Sequence, residues 1–110
     1  MRKNKNINKL TFEEFCNKNR RRNKTSFKHC ADWSALEWCG AAAGELGEMV
    51  NLVKKVHRGD KIDPKLIGKE IADTICYLDD VAAKFGLSLQ KCLIDKFNEV
   101  SDRVSSKIRL

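Results

Sequence analysis

Residues 44–57, GELGEMVNLVKKVH, and residues 69–82, KEIADTICYLDDVA, decide how this chain folds. Each repeats apolar residues at three- and four-residue spacing, the period of an α-helix with one buried side. Ala42, Leu46, Met49, Val50 and Val53 line such a face in the first stretch, and Ile67, Ile71, Ile75, Leu78 and Ala82 in the second. Upstream, Ser34 and Glu37 have the spacing of a capping box that starts the first helix, and Gly59 can end it. Asp63-Pro64 sets an N-cap before a proline at the first helical position, and Gly86 stops the second helix near Phe85. With so short a turn between them, the two helices are expected to form an antiparallel hairpin.

Thr11 and Glu14 form a similar box, which opens a shorter helix to about Arg22, and Ser88 caps a further one reaching about Ser105. Between them NKTSFKHCAD, residues 23–32, reads as loop. No stretch has the alternation of a strand, so the expected fold is all-α, a four-helix bundle-like domain. At 110 residues, 42% apolar and 34% charged, the chain suits one globular domain rather than a disordered segment. We expect a basic N-terminal segment with a short helix over residues 1–30 and the chemistry-bearing helical domain over 31–110. No apolar run approaches the ~18 residues of a membrane span. The opening MRKNKNINK lacks the apolar stretch of a secretory signal, so a cytoplasmic location without membrane association is expected. The five cysteines are widely spaced with no CxxC, and are expected to be reduced and mostly buried.

The net charge of +7 is uneven: residues 1–30 carry ten Lys or Arg against two Glu, whereas the remainder is nearly neutral. The run Arg20, Arg21, Arg22, Lys24 could meet nucleic acid or another polyanion, and a nucleic-acid-binding or nucleotide-binding helical module is the alternative reading of function.

Two acid pairs stand out in the hairpin. Glu45 and Glu48 lie on a stripe with Trp38, Ala41 and Leu52, beside the apolar face, and Glu70 and Asp73 lie on the matching side of the next helix with Tyr77 and Asp80. The pairs are symmetric about position 59 in the turn, so Glu45 should face Asp73, and Glu48 should face Glu70. Converging carboxylates repel by a few kcal/mol per contact at ~4 Å in a partly screened site. Only Asp73 has a cation one turn away, Lys69. A divalent metal would relieve the repulsion, and an all-oxygen ligand set selects Mg²⁺, with Mn²⁺ possible, over zinc or copper. Neither His29 nor His57 stands in the Glu-x-x-His spacing of a di-iron bundle. His29 beside Cys30 is read as loop structure.

The order ExxE in GELGEMVNLVKK, ExxD in KEIADTICYLDDVA, then KFNEVSDR resembles the MazG-like all-α nucleoside triphosphate pyrophosphohydrolases, particularly the small single-domain phage and bacterial ones. The resemblance spans roughly residues 33–110 and implies Mg²⁺-dependent cleavage of (d)NTP to (d)NMP and pyrophosphate by a homodimer or homotetramer. It implies Glu45, Glu48, Glu70 and Asp73 as metal ligands. A purine deoxynucleotide such as dGTP or dATP is the expected substrate on the phage-like resemblance alone. One carboxylate not saturated by metal, Glu48, is the candidate general base.

Other residues could complete a pocket. Lys96 and Arg103 lie within the apolar face of the last helix and could meet phosphates. Asn98 falls nearly opposite Lys96 and would reach a site only across a subunit interface. Trp38, then Trp33, could stack on a base. Tyr77 could orient a ligand, and Asp80 could add a metal ligand or pair with Lys84.

Overall fold

Four α-helices and a short 3₁₀ turn make up the described residues, 9–110, of this computed structural model. They are α1 (Phe12–Ser26), the turn Lys28–Cys30, α2 (Ala35–His57), α3 (Pro64–Lys84) and α4 (Leu89–Arg103), with no strand among the described residues. The capping box of Ser34 and Glu37 is formed, and the Asp63 side chain accepts from the Lys65 backbone N–H ahead of Pro64. Gly59 and Gly86, at φ 99° and 65°, take the left-handed conformation that ends α2 and α3. The first helix outruns its expected end near Arg22, because the Thr25 hydroxyl donates to the Arg21 carbonyl and the turn continues to Ser26. The 3₁₀ turn takes up part of the expected loop.

The hairpin is present: α2 and α3 pack along each other. α1 lies against α3 and also meets α4, where the Glu13 backbone N–H donates to Gln90 Oε1 at 2.8 Å. What holds α1 is polar. Asp79, fully buried on α3, accepts from Arg20 Nη2 at 2.9 Å and from Asn19 Nδ2 at 3.1 Å, and Arg20 also caps the Leu87 carbonyl at 2.8 Å. Asn19, itself buried, reaches the Cys76 carbonyl and Asp80 as well. From Phe12 onward, then, the basic segment is built into the body of the molecule. The Cys16 thiol beneath this network is pushed up to about 12 by burial and by its hydrogen bond to Asp79, so it is unreactive. Cys16 and Cys30 are buried as expected, but Cys39 and Cys92 are exposed.

The apolar faces are not closed within one chain. Among the described residues only Cys16, Cys30, Trp38, Ala42 and Ala82 are buried apolar ones. Leu46, Val50 and Val53, the expected core face of α2, stay 45–57% exposed, and Ile71 and Leu78 of α3 are alike. A pair of helices buries only the strip they share. Here that strip carries Trp38, Glu45, Met49 and Leu52, while α1 packs on α3 and leaves the broad apolar face of α2 uncovered. On α4, Leu93, Phe97 and Val104 are exposed too. The chain exposes 8750 Å², against roughly 6,200 Å² for a compact monomer of its mass. No helix among the described residues is long and apolar enough to cross a membrane.

Candidate metal and ligand site

Packing of α2 on α3 brings carboxylate oxygens of Glu45, Glu70 and Asp73 within 4.8 Å of one another. Glu48 is exposed and outside this triad, but it lies close enough to Glu70 to influence its carboxyl. Glu45 meets Asp73 and Glu48 lies by Glu70, as symmetry about the turn requires, but Glu70 adjoins Glu45 as well. Glu70 sits between Glu45 and Glu48, because opposed side chains on antiparallel helices interdigitate rather than meet head-on.

Glu70 is the electrostatic centre. Its carboxyl is held above the ordinary carboxylate range, chiefly by the adjoining Glu45 carboxyl, then by burial and by the charge of Glu45, with Asp73 adding and Glu48 opposing. Its Oε2 is enclosed and has no hydrogen-bond partner. A buried acceptor left unpaired costs about 1–3 kcal/mol, more for a charged one. Hard oxygens from three residues and an orphaned oxygen among them are a donor set suited to Mg²⁺ or Mn²⁺.

Beside the triad, a cavity of about 200 Å³ opens between α1, the 3₁₀ turn and the hairpin, lined by Arg22, Asn23, Trp33, Trp38, Tyr77 and Asp80 among others, with Asp73 at its rim. Trp38 is buried and forms an aromatic cluster with Trp33, centroids 4.6 Å apart, and with Tyr77 at 5.8 Å. Its neighbour Trp33 is only half-buried. Trp38 therefore serves mainly as packing, and Trp33 offers the more accessible ring, a reversal of the expected order. Tyr77 lines the cavity together with Asp73, and burial, then the charges of Glu45 and Asp73, pushes its hydroxyl up.

Asp80 stands outside the acid triad and forms no ion pair with Lys84. It is 5% exposed, and its Oδ1 accepts from Asn19 Nδ2 at 3.1 Å and from Asn23 Nδ2. Burial, then the charge of Asp79, raises its pKa from 3.8 to about 6. Between about pH 4 and 6 the folded chain holds a proton that the unfolded chain has released, so stability must fall as pH rises through that window. Allowing for solvent screening, we expect a loss of about 1–2 kcal/mol. Urea midpoints of wild type and Asp80→Asn from pH 4.5 to 7.5 measure it; parallel pH dependences in the two proteins would exclude Asp80 as the source.

The other expected site residues are not gathered there. Lys96 pairs with Glu99 at 3.0 Å on an exposed part of α4, and Arg103 is exposed at its end. Asn98 is occupied by the C-terminal tail, with Nδ2 donating to the Leu110 carbonyl and Oδ1 accepting from the Leu110 backbone N–H. The main packing partner of α4 within the chain is α1, not the hairpin that holds the acids. Sequence reasoning missed Asn19 and Asn23, and it took Arg22 only as part of the basic run. Their signal was the spacing of Cys16, Asn19 and Asn23 along one face of α1, polar residues where a buried stripe belongs. Comparison of the chain with protein-family models, curated proteins and solved structures gave no match.

Proposed function

We propose that this chain is a Mg²⁺-dependent nucleoside triphosphate pyrophosphohydrolase, converting (d)NTP to (d)NMP and pyrophosphate, of the MazG-like kind that its motifs resemble. The supporting observation is the unpartnered Oε2 of Glu70, enclosed among Glu45, Glu48 and Asp73 next to a cavity with aromatic walls. Glu45, Glu70 and Asp73 would hold the cation, with Glu48 at its edge. A divalent cation held by these residues would supply positive charge against the phosphates and would make a water a better nucleophile. Glu48, exposed and outside the triad, accepts that water's proton. Trp33 stacks on the base, and Tyr77 orients the sugar end beside Asp73. The basic run contributes less to a nucleic-acid surface than its charge suggests, since Arg20 is taken up by Asp79 and Arg22 faces the cavity.

The working form is a homo-oligomer, in which a second copy covers the exposed face of Leu46, Val50 and Val53 and the apolar side of α4. Lys96 and Arg103 then become phosphate contacts available to a neighbouring subunit's site. In sedimentation at micromolar concentration the wild type should run at twice the monomer mass or more, and Val50→Glu should run as a monomer with its helical content kept. A wild type that stays monomeric would remove this part of the reading.

The catalytic part is tested by pyrophosphate release from a panel of NTPs and dNTPs with and without Mg²⁺. Release that requires the metal is expected; no release from any member overturns the proposal.

A further inference from the structure

The cavity beside the triad is longer than the metal chemistry requires. It runs along α3 from Asp73 at the acidic cluster to Asp80, seven residues further on. At 1.5 Å per residue that is about 10 Å, two helical turns. One end is acidic, the middle is walled by Trp33, Trp38 and Tyr77, and the far end carries a single carboxylate. This carboxylate is built in rather than solvated. Asp80 is 95% removed from solvent, and its Oδ1 is saturated by the side-chain amides of Asn19 and Asn23. Its Oδ2 takes no donor from the described residues. The only fully enclosed side-chain oxygen or nitrogen without a partner among those residues is Glu70 Oε2, so Asp80 Oδ2 is not sealed off, and Asp80 is one of the residues that line the cavity. A buried acceptor with one free oxygen, facing an aromatic-walled cavity, is an incomplete hydrogen-bonding site.

We propose that Asp80 Oδ2 is the specificity-determining acceptor for the base, and that the site selects nucleotides whose base carries an exocyclic amino group at the edge lodged against it. This deepens the nucleotide reading above and rests on it. The phosphates lie at the Asp73 end, the base stacks beside Trp33, and the amino N–H donates to Asp80. A keto oxygen in the same place meets the carboxylate lone pairs and leaves both acceptors unpaired, which is the arrangement that discriminates most strongly between analogues. Adenine and cytosine present that amino donor at their pairing edge; hypoxanthine and uracil carry a keto oxygen there and can donate only from the neighbouring ring N–H, for which the base must shift in the cavity. Asn19 and Asn23 act as positioning residues, since they fix which oxygen of Asp80 faces the base.

The geometry also says what Asp80→Asn does. The amides of Asn19 and Asn23 retain the carboxamide oxygen where Oδ1 was, which turns the new amide N–H₂ into the cavity and converts an acceptor into a donor. The chain's two tryptophans, Trp33 and Trp38, both line the cavity, so intrinsic fluorescence reports its filling. The full chain is titrated with AMP and IMP, and with CMP and UMP, with Mg²⁺ present at pH 8, where Asp80 is ionised. For the wild type, AMP and CMP should bind at least tenfold more tightly than IMP and UMP. For Asp80→Asn the preference should vanish or reverse. Equal affinities within both pairs, no quenching by any of the four, or an unchanged amino preference in Asp80→Asn each overturns the proposal. The wild-type comparison needs no variant, so a misfolded Asp80→Asn leaves the test standing. No hydrolysis enters the measurement. Absence of pyrophosphate release with the amino preference intact would sink the enzymatic reading alone; release without that preference would sink this one alone.

Discussion

Asp79→Ala should lower the unfolding free energy by about 3 kcal/mol, the low end of what removing one partner from a buried ion pair costs. Asp79 has no solvent exposure, and it binds Arg20 at 2.9 Å and Asn19 at 3.1 Å across the contact of α1 with α3. Without it, the Arg20 guanidinium, 28% exposed at the side chain, keeps only the Leu87 carbonyl as a strong partner. The partial exposure of Arg20 sets the low end of the range, because water can reach the orphaned charge. A domain of this size is stable by only about 5–15 kcal/mol, so the loss is a large share. Asp79→Asn keeps an acceptor for only one of the two donors, Arg20 and Asn19, and turns an amide N–H₂ toward the other, so it should cost less than the alanine but still be destabilising. Urea unfolding supplies the free energies, and amide hydrogen exchange should report that α1 opens first. If Asp79→Ala unfolds within 0.5 kcal/mol of wild type, the docking of α1 depends on something other than this network. Loss of α1 also removes one wall of the cavity, so nucleotide binding should weaken in the same variant.

The second large effect is on turnover. Glu48→Gln should reduce pyrophosphate release by about 10²- to 10⁴-fold, the range for loss of a general base. Metal uptake should be nearly unchanged, because Glu48 lies outside the triad of Glu45, Glu70 and Asp73. Glu70→Gln should behave differently. It relieves the crowding that raises the Glu70 carboxyl, so the apo protein should gain stability above neutral pH while calorimetric binding of Mg²⁺ or Mn²⁺ is lost. Rising stability paired with falling metal affinity is the pattern of a binding site; a surface patch of acids could gain stability but would have no metal uptake to lose. Retention of full turnover by Glu48→Gln would take the proton-accepting role from Glu48.

Much of the fold is written locally in the chain. Ser34, Glu37, Asp63, Pro64, Gly59 and Gly86 fix where α2 and α3 begin and end, since capping and left-handed turns are settled within a few residues. The acid pairs were legible for the same reason: helical periodicity fixes which residues share a stripe, and a short turn fixes their height across the hairpin. Which flank of α2 turns inward was not legible. Leu46, Val50 and Val53 form the more apolar face, yet the strip shared with α3 is the one bearing Trp38 and Glu45, and the apolar face is left for another surface to cover.

The sequence alone determined the four helices and the placing of Glu45, Glu48, Glu70 and Asp73 along one edge of a hairpin. Only the tertiary structure decided that Glu48 stands apart from the triad, that Asn98 is held by Leu110, and that Asn19 and Asn23 of the basic segment close on Asp80. Periodicity acts over a few residues. Contacts between positions some 60 apart follow from how whole helices pack, and no local pattern encodes them.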